Sequence, residues 1–497
     1  MRYIFIVLSL VYSLSCFAQQ HDNNWLTGIG TPGTKSTQIT FNNPIVLDSI
    51  SRNMEIRGEI ISMSDSLGNF IFYSNGIKIH NAQHQLMQNG DSLNPGQVAD
   101  NFRQSGYPIS EGMIAIPHPI EASKYYVFHQ AITNASAIAG FADKLYYTLV
   151  DMNANGGLGK VETKNQILLE NDSICAGQLE VVKHGNGRDW WLIQPMSGSN
   201  GYHVFLIAGN AITYHHKQYL GTIKILGSEM AGQATFNHQG NQYIRYDHYN
   251  DLDIYDFDRC SGYLSNYLHI PVIDSIDNLA GSGVLSGAAV SLNDRYLYVS
   301  SWIYLYQFDL WATDIAASKD TVAIHDNFTP TFIPTLFSYI QIAPDGKIYG
   351  HTYSNRYLHV IDYPDSAGLA CNVRQHDIDI FFNNSQFFPN MPHYRMPALT
   401  GAACDTLTSI AIIGDNDLEE VSLYPNPTGS SVTIESESVI KNVMIYDALG
   451  REVKNIEKIN QGIVELEIKD LENGIYIVWV ELESGVILNK QLVVQKD

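Results

Sequence analysis

The chain of 497 residues is too long for one ordinary hydrophobic core, so two or more domains, or one large repeat array, are expected. Hydrophobic residues make up 45% and charged residues 16%, with 30 Tyr and 38 Gly, a composition that excludes global disorder and favours a β-rich, turn-rich protein. The formal net charge of −22 sets the chain against nucleic acid and anionic membrane, whose phosphates would repel it.

The first residues, MRYIFIVLSLVYSLSCFAQQ, place Arg2 before an apolar run from Tyr3 to Leu14, then small residues leading to Ala18. This is the pattern of a signal peptide over residues 1–18, cleaved after Ala18, because the run is too short for a stable bilayer anchor. A rival reading makes Cys16 a lipid-modified N-terminus, but Ser13 stands where that reading asks for a bulky aliphatic residue. No later stretch is apolar for long enough to form a transmembrane helix, so no integral membrane segment is expected after signal cleavage. Cys175, Cys260, Cys371 and Cys404 remain, and in an oxidising compartment they allow disulfides in three connectivities that sequence does not separate. Their spacings are too wide for a zinc ribbon.

Six times a turn rich in Gly, Asn or Asp, or a polar turn ending in Lys, leads into an aromatic and aliphatic strand. The six are LGNFIFYSNG from Leu67, ASKYYVFHQ from Ala122, GNGRDWWLIQP from Gly185, QGNQYIRYDH from Gln239, LNDRYLYVSS from Leu292 and APDGKIYGHT from Ala343. Their spacing of about 50 to 65 residues suits four-stranded propeller blades, and each is flanked by further strand-like runs. An all-β fold follows, with a β-propeller over residues 22–400. Six or seven blades are expected and seven is preferred, the last assembled from NNWLTGIG near Trp25 and SQFFPNMPHYRM near Phe388, which would tie down both ends. Phrases such as DSLGNFIFYSNGIKIHNAQHQLMQNG, VKHGNGRDWWLI and YDFDRCSG resemble the repeat region of large secreted and gliding-motility-associated bacterial proteins, roughly from Trp25 to Pro397. That resemblance implies no defined activity.

Three glutamates recur at equivalent points of the repeats: Glu59 in GEIISM, Glu111 in SEGMIAIP and Glu229 in SEMAGQ each precede an expected innermost strand. Radial symmetry would bring them to the channel mouth, either as a negative rim or as acceptors of backbone N–H bonds from a neighbouring blade. His80 and His84 would meet only on a helix, and the surrounding turns argue against one. DMNANGGLGKVE spaces Asp151, Asn153, Asn155, Gly156 and Glu162 as a calcium loop does, yet strands rather than helices flank it, so a Gly-rich hairpin turn is the better reading. His215 and His216, adjacent on a strand, should point to opposite faces. In DLDIYDFDRC, strand alternation puts Asp251, Asp253, Asp256 and Asp258 on an exposed face or turn. No His-Glu-x-x-His, Gly-x-Ser-x-Gly or phosphate-cradling loop occurs. No catalytic residue, metal ligand or cofactor is therefore expected, calcium at Asp151 to Glu162 being the one weak alternative.

Residues 401–420 form a short connector of small and acidic residues. Beyond it, residues 421–497 run through VSLYPNP, SVTIES, IYDALGREV, IVELEIKDL, GIYIVWVEL and LNKQLVVQ, seven or so short strands that make a small immunoglobulin-like β-sandwich. These motifs resemble the type A C-terminal sorting domain of the type IX secretion system. The matching residues are Tyr424, Pro425, Asn426 and Pro427, then Gly450 at a hairpin turn, Gly474 and Tyr476, and Lys490 in a closing basic strand. The resemblance implies the type IX machinery as partner and a destination outside the cell or on its surface, reached through the periplasm. A binding propeller for a protein or glycan is the leading expectation. A carbohydrate-active hydrolase or lyase and a structural or adhesion component are the alternatives.

Overall fold

The computed structural model describes residues 19–30, 34–132, 141–225, 231–272, 285–352, 354–384, 388–402, 404–405, 421–447, 452–456, 458–483 and 487–496. The expected signal peptide, Glu229, Gly450 and most of the connector lie outside the described residues. The chain divides into two compact units, Met1–Thr406 and Leu407–Asp497.

Seven antiparallel sheets build the first unit, a seven-bladed propeller. Blade 1 holds Asn24–Thr27, Lys35–Thr40 and Val46–Ser51, and blade 2 holds Ile61–Ser64, Phe70–Ser74 and Ile79–Asn81. Five blades of four strands come next, opening with the inner strands Met113–Pro117, Glu180–Lys183, Gln233–Phe236, Ser286–Val290 and Ile340–Ile342. Blade 5 continues through Gln242–Asp247, Asp251–Phe257 and Leu264–Ile270. Its middle strands are buried on both faces, with Tyr243, Ile244, Tyr246, Leu252, Ile254 and Tyr255 all in the core. Packing between neighbouring blades leaves no wet face there, which is why these strands read as aromatic and aliphatic runs rather than as strict alternation.

The recurring turns have a common cause. Asp65 Oδ1 accepts the N–H groups of Leu67 at 2.8 Å and Asn69 at 2.9 Å, and Asn186 Oδ1 accepts those of Arg188 and Asp189, each at 3.0 Å. Asn237, Asn293 and Asp345 do the same for Gln242, Arg295 and Lys347. In blade 3 the ring nitrogen Nδ1 of His118 takes this place, accepting from Ile120 and Glu121. A side-chain acceptor that holds turn N–H groups favours the hairpin by local bonds that need no neighbouring blade.

Among the described residues blade 1 takes all its strands from the N-terminal side, and the far end packs against it without adding the strand expected there. Asn24–Thr27 comes directly after a turn, as the second strands of the other blades do, and Phe388 from the far end packs on Trp25 with ring centroids 5.1 Å apart. Gly28 N–H donates to Asn384 Oδ1 and Ile29 N–H to the Asn383 carbonyl, both at 3.0 Å. Arg395 grips the Asp22 carboxylate with two hydrogen bonds of 2.6 Å. From Phe388 the chain becomes a strap: Tyr394 donates its hydroxyl to the Ala115 carbonyl of blade 3, and Leu399 N–H donates to the Gly185 carbonyl of blade 4. It ends in a disulfide between Cys404 and Cys260 of blade 5, while Cys175 and Cys371 are buried thiols. Gly185 lies under this bridge, where a Cβ would come within 2.3 Å of Cys404 Sγ.

Among the described residues the second unit has six strands: Val421–Tyr424, Ser431–Tyr446, Glu452–Ile456, Gln461–Glu467, Gly474–Leu482 and Ile487–Val494. SVTIES and the alternating run after it are one strand, Ser431–Tyr446, whose register breaks between Glu435 and Ile440. Its first part pairs with Val421–Tyr424 and Gln461–Glu467, its second with Glu452–Ile456 and Gly474–Leu482. This one strand thus pairs with four others, over a core that includes Val432, Ile434, Val443, Ile445, Val478, Val480 and Leu492.

Candidate functional site

The innermost strands gather around the centre of the propeller, and among the described residues side chains pack at both of their ends. Where the strands begin, Ile60, Ala231, Leu285 and Tyr339 pack together with Leu26, Met54, Ile56 and Tyr73. Toward the other end the strap fills the space: Gln341 donates to the Met391 carbonyl and Asn390 to the Leu179 carbonyl. A cavity of about 20 Å³ remains between blades 4 to 7 and the strap, lined by Glu180, Gln233, Gln341, Asn390 and His393 among others. That is room for a water molecule and not for a sugar ring.

Glu59 and Glu111 are both buried in this region. The Glu59 carboxyl is held between two glycines: a Cβ at Gly76 would come within 2.5 Å of Oε2, and one at Gly112 within 2.7 Å of Oε1. Neither oxygen has a hydrogen-bond partner among the described residues, and burial pushes the group well above the usual carboxylate range. Glu111 sits at φ +50°, and its Oε1 accepts from Gln233 Nε2 of blade 5 at 2.9 Å. Burial, reinforced by the nearby Glu180 carboxyl, pushes it up as well. The corresponding place in blade 4, two residues before the strand, belongs to Gln178, whose Oε1 accepts from Arg245 Nε at 2.6 Å, and in blade 5 to Ala231. Glu180 is the acid that sequence reasoning missed. It is the first residue of its inner strand, raised by burial, with Oε1 accepting the Val181 N–H at 3.0 Å. Opposite it, burial holds His393 down to about 3, so the cavity wall is uncharged there.

The state of Glu59 gives a measurable pH dependence. A carboxyl raised on folding contributes fully below its unfolded pKa, and that contribution is lost as pH rises toward the folded value, at a slope of up to about 1.4 kcal/mol per pH unit. Glu59→Gln is therefore expected to match the wild type near pH 4 and to be the more stable of the two at pH 8. Urea midpoints at the two pH values check this, and an unchanged difference between the proteins across that range would refute it.

The remaining expected residues fall in several places. Asp151 to Glu162 spans the hairpin between Phe141–Asp151 and Lys160–Cys175, and Lys124 Nζ lies 3.2 Å from Glu162. His80 lies in the middle of the strand Ile79–Asn81 and His84 sits after it at φ +59°; both ring nitrogens Nδ1 face the Tyr73 hydroxyl, at 3.5 and 3.3 Å. Asp253 is fully buried rather than exposed, ion-paired with the buried Lys224 and accepting from Tyr267 at 3.0 Å, because both faces of its strand are covered. His215 and His216 do not point to opposite faces. Val204 pairs with His216 and Phe205 with Tyr214, so His215 is the extra residue of a β-bulge and both rings turn the same way.

In the second unit the Tyr-Pro-Asn-Pro turn is knitted to the last strand. Asn426 Oδ1 accepts the Val493 N–H at 2.8 Å, Thr428 N–H donates to the Val493 carbonyl, and Gln495 N–H donates back to the Thr428 carbonyl. Tyr424 is half-exposed and donates to Glu435 Oε2 at 2.7 Å. Tyr476 is buried, its hydroxyl donating to the Glu472 carbonyl at 3.0 Å, and Gly474 opens the strand opposite Val494. Lys490 is exposed and stands opposite Val478.

Residues 422–495 match the family model of the secretion system C-terminal sorting domain. No curated protein matches the chain. Among solved structures, a protein from Lactobacillus plantarum is similar at 10% identity and TM-score 0.44, over 74% of this chain and 98% of that one. Sqt1 of Saccharomyces cerevisiae is similar at 10% identity and TM-score 0.38, over 96% and 98%. PorZ of Porphyromonas gingivalis, a surface component of the type IX secretion system, is similar at 11% identity and TM-score 0.29, over 93% and 68%. At these scores the propeller assignment rests on the seven sheets themselves. No helix among the described residues is long and apolar enough to cross a membrane. The chain is a secreted β-propeller protein that carries a type IX secretion system sorting domain at its C-terminal end.

Proposed function

We propose that the propeller is a binding module, delivered by the type IX machinery to the cell surface or the medium, where it engages a protein or glycan through its outer surface. Exposed aromatic side chains carry this reading. The carboxyls of Glu59, Glu111 and Glu180 are buried, and the cavity beside Glu180 holds about 20 Å³. Aromatic side chains stand on the outside instead: Phe332 is 91% exposed, Trp311 64% and Tyr363 60%. Such rings offer large, stiff contact area at low entropic cost and suit sugar faces and protein partners alike. The test is a glycan array and a binding screen against surface proteins, run beside a hydrolase and lyase panel on the same secreted protein. Saturable binding without turnover is expected. Depolymerisation of any glycan by the purified protein would overturn the reading.

A further inference from the structure

The β-bulge in the outer strand of blade 4, Ala211–Tyr219, brings the Nδ1 atoms of His215 and His216 to 2.7 Å from one another. Neighbouring rings hold both imidazoles in place. Tyr263 of blade 5 stacks on His216 with centroids 4.0 Å apart and planes at 19°, and the buried Trp191 meets His215 edge-on at 5.0 Å. His216 Nε2 is buried, which leaves Nδ1 as the nitrogen turned toward its neighbour. His215 is exposed and Tyr263 is nearly half exposed, so the pair is open to solvent.

We propose that His215 and His216 form a two-imidazole chelate for a divalent transition-metal ion that prefers right-angled coordination, copper(II) or nickel(II). Two metal–nitrogen bonds of about 2.0–2.1 Å, drawn from nitrogens 2.7 Å apart, enclose an angle of about 80–85°. A tetrahedral ion would need its nitrogens about 3.3 Å apart, whereas tetragonal and octahedral ions take neighbouring ligands near a right angle. Among the described residues no group of three or more metal-ligating side chains occurs, so water completes the coordination shell. Without metal, one ring donates its Nδ1–H to the lone pair of the other. The ion takes both lone pairs, and the donor ring moves its proton to Nε2 through solvent, so each imidazole stays neutral and no net proton is released.

The experiment titrates copper(II) into the full secreted protein by calorimetry and records the paramagnetic resonance spectrum at one equivalent. Wild type is expected to lose one binding equivalent on either His215→Asn or His216→Asn, and its axial spectrum should show coupling to two nitrogens. Tyr263→Leu, which frees the His216 ring, should weaken the same site without removing it. Retention of full stoichiometry by either histidine variant would overturn the proposal. Should a variant fail to fold, diethylpyrocarbonate labelling of the wild type replaces it: copper(II) is expected to protect the His215–His216 peptide, and equal labelling with and without the ion would overturn the proposal as well.

Discussion

A chain that ends at Thr406 is expected to fold and to stay in the periplasm, with surface and medium almost empty of it. The propeller is a compact unit ending at Thr406, and its closing elements, Arg395 with Asp22 and Cys404 with Cys260, all lie before that residue. The sorting domain has its own buried core, which includes Val432, Ile434, Val478 and Val480, as expected of a domain that folds by itself. Fractionation and a subsequent melting curve separate the two effects. Normal amounts of truncated protein outside the cell would show that the export signal lies elsewhere, and a truncated protein with no cooperative melt would show that the propeller depends on the sorting domain for its stability.

Cys404→Ser is expected to lower stability more than any other single surface change in the propeller. The bridge closes a loop with a sequence separation of 144 residues, and the loop-entropy model puts its contribution at up to about 5 kcal/mol. Folded-state contacts of the strap reduce what is actually lost, because Tyr394 and Met396 remain anchored in the core without the sulfur. Denaturation under oxidising conditions should move the Cys404→Ser midpoint well below wild type, and reductant should bring wild type to the same place. Cys371→Ser would not reproduce this shift, since Cys371 is a free thiol in the interior. Identical midpoints for Cys404→Ser and wild type would remove the bridge from the account of stability.

The propeller was legible in sequence because its turns repeat chemically as well as structurally. Asp65, Asn186, Asn237, Asn293 and Asp345 each accept turn N–H groups, and that shared task leaves a recurring polar mark before every second strand from blade 2 onward, with His118 as the one exchange. The sorting domain was legible for a related reason: Tyr424 to Pro427, Gly474 and Tyr476 occupy turns and strand ends that only a few residue types satisfy. What sequence hid was what depends on long-range packing. Asp253 reads as exposed by alternation, but both faces of a blade strand are covered, so the acid is buried and takes Lys224 as partner. Adjacent histidines read as opposed until a register shift of one residue between Val204 and Phe205 turns them together. The two short strands expected across Ser431–Tyr446 are one, because a register break can bend a strand without interrupting it. The course of the strap depends on where residues 388–399 return, and on Cys404 finding Cys260 among three partners.

The position of Cys404 also sets how the propeller bears load. A chain pulled outward from residue 405 would, without the bridge, peel its strap away one hydrogen bond at a time, starting with Leu399 on Gly185 and Arg259 on the Pro397 carbonyl. With Cys404 bonded to Cys260, tension passes through sulfur directly into blade 5, at the turn between its third and fourth strands, and the strap upstream carries none of it. The weak contacts that complete the ring are thereby placed in a mechanical dead zone, protected from any force applied at the end by which the protein is sorted.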